Sequence, residues 1–173
     1  LSAEERGVYS HLLACRALRR GMELLEALGE TVEAYAPTQT RMVQAARENW
    51  WREGQAGFGP SHHTNAQAIC SGILDPEECA RLFAETLQAD PVLSMTYWHR
   101  YLDLSAAQQV HEVAWGLNYI RRHWGQALQV GMTALWEAFD PAWMGEDPHA
   151  LSMVGAGYAR YGGYETSLCH GWS

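Results

Sequence analysis

Apolar residues recur every three or four positions in the first part of the chain, the pattern of a helix with one buried face. The first run is followed by Gly29, where a C-terminal glycine cap is expected. It consists of Val8, Leu12, Cys15, Leu18, Met22, Leu25 and Leu28. A second run follows Pro37 and consists of Gln39, Met42, Val43, Ala46 and Trp50. The pattern therefore predicts two helices near the start of the chain.

Turn and capping residues organise the next stretch. Three glycines and a proline make residues 54–61 a predicted loop. Asp75, Pro76 and Glu78 match an N-cap, a proline at the first helical position and the acid of a capping box. A helix is therefore predicted from this point to about Gln88.

A second capping box, Ser105 to Gln108, predicts the start of another helix. Its apolar positions share one face, and Gly125 is expected to close it. Those positions are Val110, Val113, Ala114, Leu117, Ile120 and Trp124. A further helix is predicted over residues 126–139. No stretch shows the alternation that is typical of a strand, so the predicted fold class is all-α, built from helical hairpins.

Beyond Pro141 the chain is rich in glycine and aromatic residues, as functional loops often are. It stops at Trp172 and Ser173 without a polar tail, which we interpret as the end of a segment cut from a longer protein. The first six residues are acidic where a signal peptide would be basic and then apolar. A segment carries no information on the compartment of its parent protein, so the localisation stays open.

Composition excludes several classes of protein. The hydrophobic share of 47% and the charged share of 18% are ordinary for a globular domain, whereas eight tryptophans and eight tyrosines are many. The net charge is −8, and the 12 basic residues are scattered arginines, which argues against a nucleic-acid partner. No run of about 18 apolar residues is present, so no membrane span is predicted.

The cysteines and a histidine pair could suggest a metal site. Cys15, Cys70, Cys79 and Cys169 form no C-x-x-C pair, and buried thiols are the favoured interpretation. His62, His63 and Asn65 have no cysteine or carboxylate at ligand spacing, so structural hydrogen bonding is favoured over zinc binding. The sequence predicts neither a metal nor a cofactor.

One carboxylate is a candidate for chemistry. Glu137 directly follows Trp136, among apolar neighbours, near the end of the helix predicted over residues 126–139. Partial burial raises the pKa of a carboxyl group and hydrogen bonds to its charged form lower it, a contrast that glycosidases use to separate acid from base. The residues alone support a solvated glutamate at a helix end equally well.

Three stretches resemble the α-L-rhamnosidase-type family of six-hairpin glycosidases, and together they cover residues 61–173. The first, Ser61-His62-His63-Thr64-Asn65-Ala66-Gln67, is weak alone. The second is the most specific and runs from Tyr119-Ile120-Arg121-Arg122-His123-Trp124-Gly125 through Gly131-Met132-Thr133-Ala134-Leu135-Trp136-Glu137. The third is Ser167-Leu168-Cys169-His170-Gly171-Trp172-Ser173.

The resemblance implies part of an (α/α)6 toroid of six helical hairpins. It implies that Glu137 is the general base of an inverting hydrolysis and that His170 contacts the sugar. Ala134 and Cys169 depart from the commonest family pattern, which leaves the exact sugar open. The family's general acid lies in the first half of the barrel, and no matching acidic motif occurs in this chain. Residues 1–173 are therefore expected to be the C-terminal part of one catalytic domain, without an internal boundary, and to need the remainder of that domain as a partner.

Further residues were weighed for the site. Trp136 is a substrate-binding candidate, because the C–H face of a pyranose can lie on a flat ring. Glu165, near His170, is a weaker candidate for a second acid, and a surface position is favoured for it. Asp140 and Glu146 are expected at the surface. Core positions are expected for the remaining large aromatics Tyr97, Trp98, Trp115, Trp124 and Trp172.

The predicted function is a glycoside hydrolase that cleaves terminal α-L-rhamnosyl or related linkages with inversion, with this chain alone inactive. One alternative is a non-catalytic carbohydrate-binding helical module that has lost the acid. Another is a helical polysaccharide lyase, which would use a tyrosine or histidine base instead of paired carboxylates. A requirement for water as a substrate separates hydrolysis from elimination.

Overall fold

The structure is a computed structural model that describes residues 3–52, 57–89, 97–129 and 131–136, apart from the side chain of Trp98. Its helices are α1 (Ala3–Ala27), α2 (Ala36–Asn49), α3 (His62–Ser71), α4 (Pro76–Leu82), continued by a π-helical segment (Phe83–Gln88), then α5 (Tyr97–Gln109) and α6 (Val113–Gln129). Within these ranges, β pairing is limited to one bridge between Arg52 and Gly57. The predicted all-α fold class is confirmed.

The chain divides into two compact units. The first comprises Leu1–Val92 with Ser105–Glu112, and the second comprises Leu93–Leu104 with Val113–Ser173. No helix in the described part of the chain is long and apolar enough to cross a membrane. That residues 1–173 belong to one catalytic domain stays a prediction.

Helix α1 of the first unit packs against α2 and α3. It ends as predicted: the Glu30 amide donates to the Leu25 carbonyl at 2.9 Å and the Gly29 amide to the Glu26 carbonyl at 3.0 Å. With Gly29 at φ +78°, these two bonds form a Schellman cap. The predicted apolar face is buried at Val8, Leu12 and Cys15, whereas Leu28 near the C-terminal end is 68% exposed.

Helix α3 was not predicted, although its first residues belong to the first family-like stretch. Ser61 is its N-cap and accepts a bond from the Thr64 amide at 3.4 Å, and Gly72 ends it in the left-handed conformation. Nearly all its side chains are buried, polar ones included. A helix buried on all sides has no apolar stripe. The three-and-four periodicity is therefore absent from its sequence.

The capping box of α4 is confirmed. The Glu78 amide donates to Asp75 at 2.8 Å, and the Asp75 amide donates to Glu78 at 3.0 Å. Arg47 of α2 makes two bonds to the Glu78 carboxylate, at 2.6 and 2.8 Å, and a third to the Ile73 carbonyl at 2.9 Å. The Arg47 guanidinium lowers the pKa of Glu78, so this carboxylate stays charged and ties α2 to α4.

The boundary between α5 and α6 corrects the sequence prediction. Ser105 and Gln108 lie inside α5, so the predicted capping box is wrong. Helix α5 ends in a Schellman cap whose left-handed residue is His111 at φ +61°, with the Glu112 amide donating to the Ala107 carbonyl at 2.8 Å. Because a histidine occupies the position where glycine is usual, no sequence signal marks this end.

Helix α6 also differs from its predicted limits. It begins at Val113, continues through Gly125 and ends at Gln129, so the glycine expected to close it is an interior residue. The helix predicted over residues 126–139 is wrong, because residues 131–136 are not helical. Residues 137–139 lie outside the described ranges.

Candidate functional site

The candidate site residues are described only in part. Trp136 is half-buried in the second unit. Glu137 and His170 lie outside the described residues, as do Asp140, Glu146, Glu165, Cys169 and Trp172. The roles predicted for Glu137 and His170 therefore stay predictions, and the geometry below concerns the segment that leads to Glu137.

A helix cap turns the chain sharply before this segment. At the end of α6 the Met132 amide donates to the Ala127 carbonyl at 3.1 Å, and the Gly131 amide donates to the Leu128 carbonyl at 3.1 Å. Gly131 has φ +91°, which completes a Schellman cap. The usual apolar contact of such a cap joins Met132 to Ala127, and both side chains are buried. Residues 133–136 thus leave the helix in a direction that the cap defines.

Trp136 packs on a group of side chains that we name the anchor cluster, defined as Tyr97, Trp124, Ala127 and Met132. The ring centroids of Tyr97 and Trp124 are 4.8 Å apart. The Tyr97 hydroxyl lies 3.8 Å from the Met132 sulfur, a distance suited to a weak hydrogen bond. Burial raises the pKa of Tyr97 to about 12, so this phenol stays protonated. The core positions predicted for Tyr97 and Trp124 are confirmed.

A buried cation lies behind the anchor cluster. The Arg100 side chain is fully buried, with its guanidinium carbon 4.8 Å from the Tyr97 ring centre and 5.9 Å from that of Trp124. Such cation–π contacts strengthen when water is excluded. Arg100 therefore links the two aromatic rings of the anchor cluster electrostatically.

Three further residues complete a buried polar group around Arg100. Asp103 is fully buried and accepts a 2.6 Å bond from the Tyr119 hydroxyl. The Tyr119 ring lies 4.3 Å from that of His123, which is also fully buried. Burial, then the negative charge of Asp103, raises the pKa of Tyr119. Burial, then the charge of Arg100, lowers the pKa of His123 to about 3, so the imidazole is neutral at ordinary pH.

Sequence reasoning did not find this polar group. Tyr119 and His123 occur within the most specific family-like stretch, so their position was noted without a role. Arg100 and Asp103 belong to no motif. Their only signal is a spacing of three from Tyr97, which places all three residues on one side of α5.

The Trp136 indole offers an apolar surface suited to a sugar. Its ring is half-buried on one unit of the protein, and Thr133 three residues earlier is exposed. A pyranose can lay its C–H face on such a ring while a nearby hydroxyl binds its polar edge. The described part of the segment is therefore compatible with carbohydrate binding.

The first family-like stretch supports the fold of the other unit. The Asn65 side chain accepts a 3.0 Å bond from the Phe58 amide and donates a 2.9 Å bond to the Gly59 carbonyl. This clamp closes the loop before α3. Gly57 lies beside it at φ +62°, where an added Cβ atom would overlap Leu82. The structural role predicted for Asn65 is confirmed.

Other possible sites in the described ranges are less suited to chemistry. No group of three histidine, cysteine or acidic side chains among the described residues could hold a metal ion. Cys15, Cys70 and Cys79 are buried thiols, as predicted, and burial raises the pKa of Cys79 to about 11. A surface cleft of about 640 Å³ is lined by Met22, Val43 and neighbouring side chains of α1 and α2, and contains no predicted site residue.

Comparison with known proteins defines the class of this fold as helical and rhamnosidase-like. The chain is similar to a solved rhamnosidase from Klebsiella oxytoca with rhamnose bound, at a TM-score of 0.73 and 20% sequence identity. The likeness covers 95% of this chain and 32% of that protein, so this chain spans about a third of its length. It fits part of a helical toroid. No family model and no curated protein matches the sequence.

Proposed function

We propose that this chain supplies the general-base half of an inverting glycosidase active on terminal α-L-rhamnosyl or related linkages. The observation that carries the proposal is Trp136, which packs on the anchor cluster one residue before Glu137. The rhamnosidase-like fold and the residues shared with the α-L-rhamnosidase-type family support it.

In this mechanism Glu137 takes a proton from a water molecule as that water attacks the anomeric carbon. The attack comes from the face opposite the leaving group, which is protonated by an acid from outside this chain. An inverting pair of carboxyl groups is about 6.5 to 9.5 Å apart, which leaves room for the water. Trp136 and His170 bind the sugar and orient its anomeric carbon.

The test uses the complete enzyme, meaning this chain together with the preceding sequence that would supply the acid. It should hydrolyse an aryl α-L-rhamnoside, and NMR should show that the first product has the inverted anomeric configuration. The isolated chain should not turn over the same substrate. Turnover by the isolated chain, or a retained anomer, would contradict the proposal.

A variant then assigns the base. Glu137→Ala should lower kcat of the complete enzyme by about 10² to 10⁴, because general-base catalysis contributes that much. Azide needs no deprotonation and should restore turnover of a substrate with a good leaving group, giving a glycosyl azide of inverted configuration. An azide product of retained configuration would instead identify the lost residue as the acid/base of a double displacement.

The alternative of a non-catalytic carbohydrate-binding module rests on the same indole. A half-buried Trp136 could bind a sugar without a second carboxylate. This alternative predicts sugar binding by the complete protein but no turnover. The same hydrolysis assay therefore separates the two functions.

A further inference from the structure

The segment before Glu137 is held at both ends. At Gly131 and Met132 the two Schellman bonds of α6 fix its start, and at Trp136 the indole packs on the anchor cluster. Consecutive α-carbons are about 3.8 Å apart, so the position of Trp136 limits where the next residue can lie. Whatever holds Trp136 therefore restricts the backbone at Glu137.

Trp124 is suited to this role by its contacts. It lies on α6 one turn before Ala127, and its ring contacts that of Tyr97 on α5 at 4.8 Å. The Arg100 guanidinium lies 5.9 Å from the same ring. The Trp124 indole is thus fixed by groups on another helix, and Trp136 packs against the cluster that it helps to form.

We propose that Trp124 and Tyr97 are positioning residues for Glu137, acting through Trp136. This inference rests on the proposed function. A general base must lie within hydrogen-bond reach of its water, and a displacement of about 1 Å can cost about 10²-fold in rate. The anchor cluster maintains that distance without touching the substrate.

The experiment compares the same substitution at two tryptophans of α6 in the complete enzyme. Trp124→Leu should lower kcat at least about tenfold and change KM less than about threefold, because positioning of the base matters mainly in the transition state. Trp115→Leu is the matched control. Trp115 is also half-buried and stacks on Tyr119 with a centroid distance of 4.7 Å, but it is not part of the anchor cluster. This control should keep kcat within about threefold of the wild type.

A double-mutant cycle separates positioning from a general structural effect. In the Glu137→Ala background, Trp124→Leu should lower residual turnover less than about twofold, because the base that it positions is already absent. An equal loss in both backgrounds would overturn the proposal. If Trp124→Leu does not fold by circular dichroism, Trp124→Phe enters the same cycle. This conservative variant should restore most of kcat, and its remaining loss should also vanish without Glu137.

The outcomes distinguish the two hypotheses. Hydrolysis by the wild type together with an unchanged kcat in Trp124→Leu would refute the positioning role and leave the glycosidase function standing. Absence of wild-type hydrolysis would refute the proposed function, and the positioning role with it.

Discussion

His123 offers a test of the buried polar group that needs no assumption about function. Its side chain is fully buried, and neither ring nitrogen has a hydrogen-bond partner among the described residues. Burial and the charges of Arg100 and Arg122 oppose its protonation, while Asp103 favours it. Its ring also faces Tyr119, which is neutral. The folded protein therefore resists protonation of this imidazole.

The sign and size of the effect follow from linkage. The pKa of His123 is about 3 in the fold against 6.5 for an ordinary histidine. Below pH 6.5 the unfolded chain binds a proton that the folded chain refuses, so stability is complete above this pH and falls as the pH decreases. The loss approaches about 1.4 kcal/mol per pH unit, or about 2.7 kcal/mol by pH 4.5, and levels off below about pH 3.

The perturbation is His123→Leu, which removes the titrating group and keeps a similar volume. The free energy of unfolding is measured by urea denaturation, followed by tryptophan fluorescence, between pH 7.5 and pH 4.5. At pH 7.5 the variant should lie within about 1.5 kcal/mol of the wild type, because the ring makes no hydrogen bond to lose. At pH 4.5 it should lose about 2.7 kcal/mol less than the wild type relative to pH 7.5.

His111→Asn is the control, since it removes an exposed imidazole and asparagine tolerates the left-handed backbone there. Its loss of stability with acid should match that of the wild type. Burial also lowers the pKa of His99, so part of the wild-type loss should remain in His123→Leu. Parallel acid losses in His123→Leu and the wild type would refute the reasoning.

Three further predictions concern individual contacts. His111→Gly should raise the free energy of unfolding by about 0.5 to 1 kcal/mol, because glycine relieves the left-handed strain at φ +61°; a lower urea midpoint would contradict this. Asn65→Ala should lower it by about 2 to 3 kcal/mol, because two buried bonds to Phe58 and Gly59 are lost, and a change below about 0.5 kcal/mol would argue against the clamp. In the complete protein, the indole N–H signal of Trp136, identified by its loss in Trp136→Phe, should shift in NMR spectra on titration with L-rhamnose but not with glycerol.

The success of the sequence predictions depended on how each helix is buried. Helices α1 and α2 have one buried face, and α4 begins at a capping box, so period and caps located them. Helix α3 is buried on nearly all sides and has no such period. The end of α5 was missed because Ser105 and Gln108 imitate a capping box inside the helix, while the true cap uses His111. Local patterns therefore failed where tertiary burial or an unusual residue at a cap overrode them.

The candidate site shows the same limit more sharply. The sequence identified Trp136 through a family-like stretch, but the side chains behind it come from α5, more than thirty positions earlier. Tyr97, Arg100 and Asp103 form a buried side of α5 that is mostly polar, whereas Tyr101 on another side is 55% exposed. A search for apolar periodicity assigns charged residues to the surface and so inverts this helix. Arg100 and Asp103 are tolerated inside because opposite charges, ring faces and the Tyr119 hydroxyl replace water around them, and those partners become visible only in three dimensions.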